Sequence, residues 1–383
     1  WRNGPISGLF FNYKQGEEFF ETINERERCG RIKIRRTYKA DKGVLIQINT
    51  SDSVFRRIDT SWVKLETEQE IASHRSRGLQ SSEKRLPNIL SLITNEQFKM
   101  ITTDPKRPVI IQGSAGSGKT TVALHRLGWL LHKGNSHARA ENTRVIVMNK
   151  SLQIYVSSTL PSMGINGVGA VTFNSWALSI IRHATRGKTF FKYRELPEFV
   201  EKIKFSNGIL GALSQFVSQK VRGVDAAISR EFLTKEKLLE VWKKSDNKAL
   251  QPRLKDFKHD VSESDLPTNE KQVALDYVQN LLTNQEDHVG DLYELLSDAK
   301  LLGSFLPAEP KLEEHLSYLS RMVDRNRKNN HLDYYDMSLI LRLIQLKYGG
   351  LPNKHGGISE LDHLVIDEAQ DFGPVEFSIM MDS

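Results

Sequence analysis

Gly113-Ser114-Ala115-Gly116-Ser117-Gly118-Lys119-Thr120 fits the spacing G-x-x-x-x-G-K-[ST]. Glycines let a backbone close tightly around a polyphosphate and turn its N–H groups inward, and a helix that follows adds its positive end. In this pattern Lys119 reaches the β- and γ-phosphates and the Thr120 hydroxyl coordinates Mg²⁺. The nucleotide-binding set is then Gly113, Ala115, Gly116, Ser117, Gly118, Lys119, Thr120 and Thr121. The flanks agree with that chemistry. Residues 108–112 read as a short buried strand, and Thr121 to Leu131 as a helix with Val122, Leu124, Leu127, Leu130 and Leu131 on one face. The bland alternative is a glycine-rich turn that binds nothing, and strand, loop, Lys-Thr and helix in register argue against it.

A second constellation lies near the end of the chain. Leu361 to Ile366 is an apolar strand candidate that runs into Asp367-Glu368-Ala369-Gln370-Asp371. Magnesium-dependent phosphoryl transfer uses an acidic pair at the carboxyl end of a parallel strand. Asp367 would assist the metal, and Glu368 would orient the attacking water and take its proton. The metal set is Thr120 with Asp367, and the catalytic set is Glu368, Asp367, Lys119 and Gln370. An acidic loop or helix start is the competing account of these carboxylates.

Together the two motifs resemble those of superfamily 1 helicases of the UvrD/Rep type, and further segments follow in that family's order. Asn95-Glu96-Gln97, 22 residues before Lys119, resembles the Q motif, which implies that Gln97 reads adenine. Residues 145–150 resemble motif Ia, and Thr172-Phe173-Asn174-Ser175-Trp176 resembles a segment that touches single-stranded DNA. The resemblance thus implies a nucleic-acid set of Asn149, Lys150, Thr172, Phe173 and Trp176, and a role for Gln370 in coupling the γ-phosphate to domain closure. Residues 332–337 resemble the short segment before the acidic motif. Thr121 to Arg126, Leu160 to Gly164 and Trp1 to Ser7 are similar to the HelD-like (helicase IV-like) branch.

The resemblance implies ATP and Mg²⁺ as cofactors and single-stranded DNA as partner, in an ATP-dependent DNA helicase. An alternative stays open: a HelD-like factor that uses ATP to remodel or recycle RNA polymerase without processive unwinding. A P-loop kinase is a remote third reading, against which the acidic motif speaks. Two departures stand out. Met148 occupies a motif Ia position where the family often has an aromatic, and Ser383 comes before the family's later motifs. The expectation is one motor half, without the second RecA-like domain and with little turnover alone.

The fold expected is α/β: a RecA-like P-loop parallel sheet flanked by helices, with an N-terminal β-rich segment and a mostly helical insertion. The parts are 1–65, β-rich; 66–96, linker and helix; 97–185, the first part of the RecA-like domain; 186–330, the helical, 1B-like insertion; and 331–383, its second part. Strand-type alternation covers Leu9–Phe11, Phe19–Phe20, Arg31–Arg35 and Val44–Ile48, with Asp41-Lys42-Gly43 as a turn between the last two. Arg31, Lys33 and Arg35 would share a face, either a nucleic-acid platform or a solvated surface. Around Arg186 to Arg194, basic residues interleave with Phe190, Phe191 and Tyr193, a candidate accessory contact surface.

Composition sets wider limits. The 54 Lys and Arg against 47 Asp and Glu give a formal charge of +7, which suits a nucleic-acid or polymerase partner. The single Cys29 excludes an internal disulfide framework. No apolar run approaches the length of a membrane span and no signal peptide is visible, so a soluble, cytoplasmic protein with no membrane partner is expected.

Overall fold

The computed structural model describes residues 9–10, 13–23, 26–41, 43–50, 53–58, 61–65, 94–185, 191–192, 195–353 and 357–383. The Trp1–Ser7 segment and nearly all of the expected 66–96 linker lie outside the described residues. So does most of the basic-aromatic stretch at 186–194, of which Phe191 and Lys192 are described. The chain divides into two compact units, residues 1–140 with 160–166, and residues 141–159 with 167–383.

In the first unit β1 (Glu18–Ile23) and β2 (Arg26–Arg31) form an antiparallel hairpin. A four-stranded antiparallel sheet follows in chain order: β3 (Thr37–Asp41), β4 (Val44–Asn49), β5 (Val54–Ile58) and β6 (Ser61–Leu65). The strand expected over Arg31–Arg35 is not formed. Regular pairing in β2 ends at Arg31, whose Nε donates to the Gly16 carbonyl at 2.7 Å, and the Arg35 guanidinium lies 4.6 Å from the Phe10 ring centroid. These local partners break up the expected row of three cations. The turn before β4 instead joins it to β3, with Gly43 at φ +81°, a conformation glycine adopts without steric cost. Leu9 and Phe10 are helical, not extended.

Helix α1 (Asn95–Ile101) begins at Thr94 and packs on α2 (Lys119–Leu130). Val122, Leu124, Leu127 and Leu130 of α2 are buried, as their spacing predicts. Residues 108–112 form no ladder, contrary to the strand expected there, and Ile110 is 87 % exposed. A short apolar run becomes a strand only when a neighbour supplies hydrogen-bond partners, and Pro108 has no N–H to offer.

The second unit is mixed α/β. Its parallel sheet has the order β9-β7-β8, built from His363–Ile366, Thr143–Val147 and Gly169–Thr172. The central strand β7 buries Val145, Ile146 and Val147 almost completely, as a parallel strand covered on both faces does. Helix α3 (Lys150–Ser162) follows β7, and α4 (Phe173–Ala184) follows β8. Phe173 is the first residue of α4. Thr172 there is extended (φ −78°, ψ 150°) and its hydroxyl accepts the Ser175 N–H at 3.2 Å, an N-cap that stops the strand.

The helical region expected at 186–330 contains α5 (Glu198–Lys204), α6 (Gly208–Glu231), α7 (Glu236–Lys244), α8 (Leu250–Ser262), α9 (Thr268–Asn284), α10 (His288–Ser297), α11 (Ala299–Gly303) and α12 (Leu312–Asn329). After it come α13 (Tyr334–Tyr348) and, beyond the acidic motif, α14 (Pro374–Met381). Two apolar cores serve this unit. The larger centres on α13, whose Met337, Leu339, Ile340, Leu341, Leu343 and Ile344 are at most 1 % exposed. A helix apolar on nearly every side has to be surrounded by others. The smaller joins Val224, Ile228 and Phe232 to Trp242, Leu254, Phe257 and Val278. Helix α6, roughly 36 Å long at about 1.5 Å per residue, supplies Ile209 to Val217 to one core and Val224 to Ile228 to the other.

Candidate nucleotide and nucleic-acid sites

The phosphate-loop candidate belongs to the first unit. Gly116 and Gly118 have φ of +77° and +87°, which an L side chain would adopt only with strain. A Cβ at Gly113 would meet Ser117 Oγ at 2.6 Å and Ser117 Cβ at 3.3 Å, so a side chain there would require Ser117 to move. The Lys119 ammonium lies across the loop and donates to the carbonyls of Gly113 and Ser114 at 3.1 and 3.2 Å. Gly118 precedes α2, so the first N–H groups of that helix open toward the loop. Tight glycines, a helix start and an ammonium suit a polyphosphate.

Gln97 is held beside this loop. It sits in a capping box at the start of α1: its N–H donates to Thr94 Oγ1 at 3.2 Å, and its side-chain carbonyl accepts the Thr94 N–H at 3.1 Å. The remaining amide nitrogen lies 3.9 Å from where a Cβ at Gly118 would stand. Sequence reading missed the residue that holds α1 in place. Arg126, buried on α2, donates to the carbonyls of Met100, Ile101, Thr103, Asp104 and Arg107 at 2.7–3.5 Å. It satisfies the carbonyls that the end of α1 and the following turn leave without helical partners. The available signal was a charged residue in an otherwise apolar stripe.

The acidic motif belongs to the second unit. Asp367 continues the β9–β7 ladder, its N–H donating to the Ile146 carbonyl at 3.0 Å. Glu368 then takes left-handed backbone angles, φ 52° and ψ 48°, shared among described non-glycine residues only by Asn330. Such a conformation costs about 1–2 kcal/mol for a residue with a Cβ, and strain of this kind concentrates at functional sites. Gln370 Nε2 donates to Glu368 Oε2 at 2.6 Å, fixing the carboxylate from two residues away.

The carboxyl ends of β9, β7 and β8 bring Asp367, Asn149 and Thr172 to one edge of the parallel sheet. Asn149 Oδ1 accepts the Leu152 N–H at 3.0 Å and so starts α3, while Met148 and Lys150 are exposed. Phe173 differs from its expected place. It is 3 % exposed, 6.1 Å from both Trp176 and Phe372 by ring centroids, and lies in the core. Base stacking at this edge would fall to the half-buried Trp176.

A family model of the UvrD/REP helicase N-terminal domain matches residues 93–382. The chain belongs to this family. UvrD/REP helicase domains are ATP-dependent superfamily 1 motors that use ATP with Mg²⁺ and act on nucleic acid. The mixed α/β architecture with its parallel sheet agrees with the RecA-like domain expected of them. No curated protein matches the chain. Among the described residues, no helix is long and apolar enough to cross a membrane.

Within this UvrD/REP domain a buried ion triad lies in the same unit as the acidic motif. Lys204 Nζ, on α5, binds Asp333 Oδ2 at 2.6 Å and Asp336 Oδ1 at 2.5 Å, across more than a hundred residues of sequence. Asp333 also caps α13, accepting the N–H groups of Tyr335 and Asp336. Burial pushes the Asp336 carboxyl up to about 6, with Lys204 opposing and the Asp333 charge adding to the rise. Burial works against the Lys204 charge, yet the two carboxylates outweigh it and its pKa is raised. No spacing rule pairs a lysine with carboxylates so distant, so the triad was invisible in the sequence.

Proposed function

We propose that this chain is the ATP-binding half of a helicase motor that couples Mg-ATP hydrolysis to movement on single-stranded DNA. The observation that carries the reading is the loop at 113–120, with two left-handed glycines, a lysine across its carbonyls and a glutamine amide beside Gly118. Mg-ATP supplies the scissile phosphoanhydride and a cation that neutralises charge on it. Lys119 and the loop N–H groups hold phosphate oxygens, and Thr120 and Asp367 are the metal-side groups. Gln97 reads adenine through its amide. Glu368 orients water and receives its proton, and Gln370, which already holds the Glu368 carboxylate, links that site to the γ-phosphate. Asn149, Lys150, Thr172 and Trp176 contact the strand. We place the chain in the HelD-like branch, and assign residues 186–330 as its 1B-like insertion.

The test is thermal unfolding with and without Mg-ATP. The native chain gains stability as nucleotide rises above its Kd, about 2.7 kcal/mol at a hundredfold excess, and Lys119→Ala gains none. Equal melting of both forms with nucleotide would remove the assignment. The HelD-like resemblance carries a second reading, remodelling of RNA polymerase. ATPase stimulated by single-stranded DNA supports the motor; stimulation by core polymerase alone supports the remodelling factor.

A further inference from the structure

The four-stranded sheet of the first unit precedes the family match and has no role in the reading above. Its register defines one of its faces. Tyr38 lies opposite Ile48, Ile48 opposite Phe55, and Phe55 opposite Lys64; two residues along, Arg57 lies opposite Trp62. Directly opposite residues share a face, and so do residues two apart on a strand. Tyr38, Phe55 and Trp62 therefore stand on the same side as Arg57 and Lys64. Tyr38 is 59 % and Trp62 42 % exposed, and both cations are exposed. Soluble proteins seldom leave two large aromatics open on one sheet face without a use for them.

The charge balance says what that use is. Residues 26–65 contain eleven Lys and Arg against four Asp and Glu, a net +7 equal to the formal charge of the whole chain. The rest of the protein is balanced, so its excess of positive charge is carried by this β-rich segment. Exposed aromatic rings offer stacking to bases of any identity, and cations beside them neutralise phosphates. A protein partner of ordinary composition would not call for so one-sided a charge. We infer that this face binds single-stranded nucleic acid, as a stacking platform that is additional to the strand contacts proposed for the second unit. Tyr38 and Trp62 stack bases, Phe55 supports them between, and Arg57 and Lys64 meet the backbone.

Fluorescence anisotropy of short labelled oligothymidylate and oligouridylate, measured without nucleotide over a range of salt, tests this. Tyr38→Ala and Trp62→Leu should each weaken binding at least about fivefold, the lower end of base–aromatic stacking. Trp62→Phe keeps a stacking face and should stay close to the native affinity. Arg57→Glu with Lys64→Glu should reduce the slope of log K against log salt by about 1.4, two single-strand phosphates' worth. The two oligomers tell whether DNA or RNA is preferred. The inference fails if Tyr38→Ala and Trp62→Leu leave affinity unchanged while Trp176→Ala abolishes it, because binding would then belong wholly to the second unit. It also fails if Trp62→Phe loses as much as Trp62→Leu. A third failure would be a native dimer that Trp62→Leu makes monomeric with no change in oligonucleotide affinity. A loss confined to Tyr38 and Trp62 variants upholds the platform even if Lys119→Ala proves silent.

Discussion

Glu368 shows how a single residue carries the tension between stability and use. Its left-handed backbone would suit asparagine better, since Asn tolerates that region through its short polar side chain. Glu368→Asn should raise stability by up to about 1 kcal/mol, read as a higher urea midpoint, while ATP turnover collapses. A variant with lower stability and native turnover would deny both the strain and the role. Glu368→Gln keeps the strain and the shape and should lose turnover while retaining nucleotide binding. The acidic pair itself was legible from its residue types after an apolar run. Its strained angle was not, because backbone conformation at a non-glycine position leaves no mark in the sequence.

Arg126 decides the geometry at the scale of helices. One buried guanidinium holds the end of α1 and the turn after it to α2, the helix that starts at the phosphate loop. Arg126→Leu leaves those carbonyls without their donor and should cost about 2–3 kcal/mol, in the range of charged hydrogen bonds. Because α1 also carries Gln97, the same variant should narrow the preference for ATP over GTP, measured by competition binding. Intact discrimination in a destabilised variant would separate the helix clamp from adenine reading. The helix α2 was legible from its apolar spacing and the glycine loop before it. The expected strand at 108–112 failed at this same scale, since apolar composition proposes a strand but only a paired neighbour makes one.

The second unit as a whole contains two buried titrations of opposite sign. Asp336 holds its proton up to about 6 when folded, against about 3.9 unfolded. The folded state therefore binds more protons between roughly pH 4 and 6, and this group lowers stability as pH rises there. His288 is fully buried, neither ring nitrogen has a hydrogen-bond partner among the described residues, and burial with the nearby Lys347 charge pushes it down to about 3. The unfolded chain takes up that proton near 6.5, so His288 makes stability rise with pH between about 3 and 6.5. The two effects oppose each other across pH 4–6. Asp336→Asn should make the rise of the urea midpoint with pH steeper in that window, and His288→Phe should flatten or reverse it. Identical profiles for both variants and the native chain would show that neither group sets acid stability.

The residues proposed for local chemistry could be picked out of the sequence, because the motifs they form depend on neighbours in the chain. A phosphate loop needs glycines, a lysine and a helix start within a dozen residues, and an acidic motif needs carboxylates after an apolar strand. The period of apolar residues likewise marked α2 and the helical region from α5 to α12. Tertiary structure decided what depends on distant partners. It paired Lys204 with Asp333 and Asp336, put Arg126 under the end of α1, and withdrew Phe173 into the core. It also settled which aromatics and cations of the N-terminal sheet share a face, since strand register follows from pairing between strands and not from alternation within one.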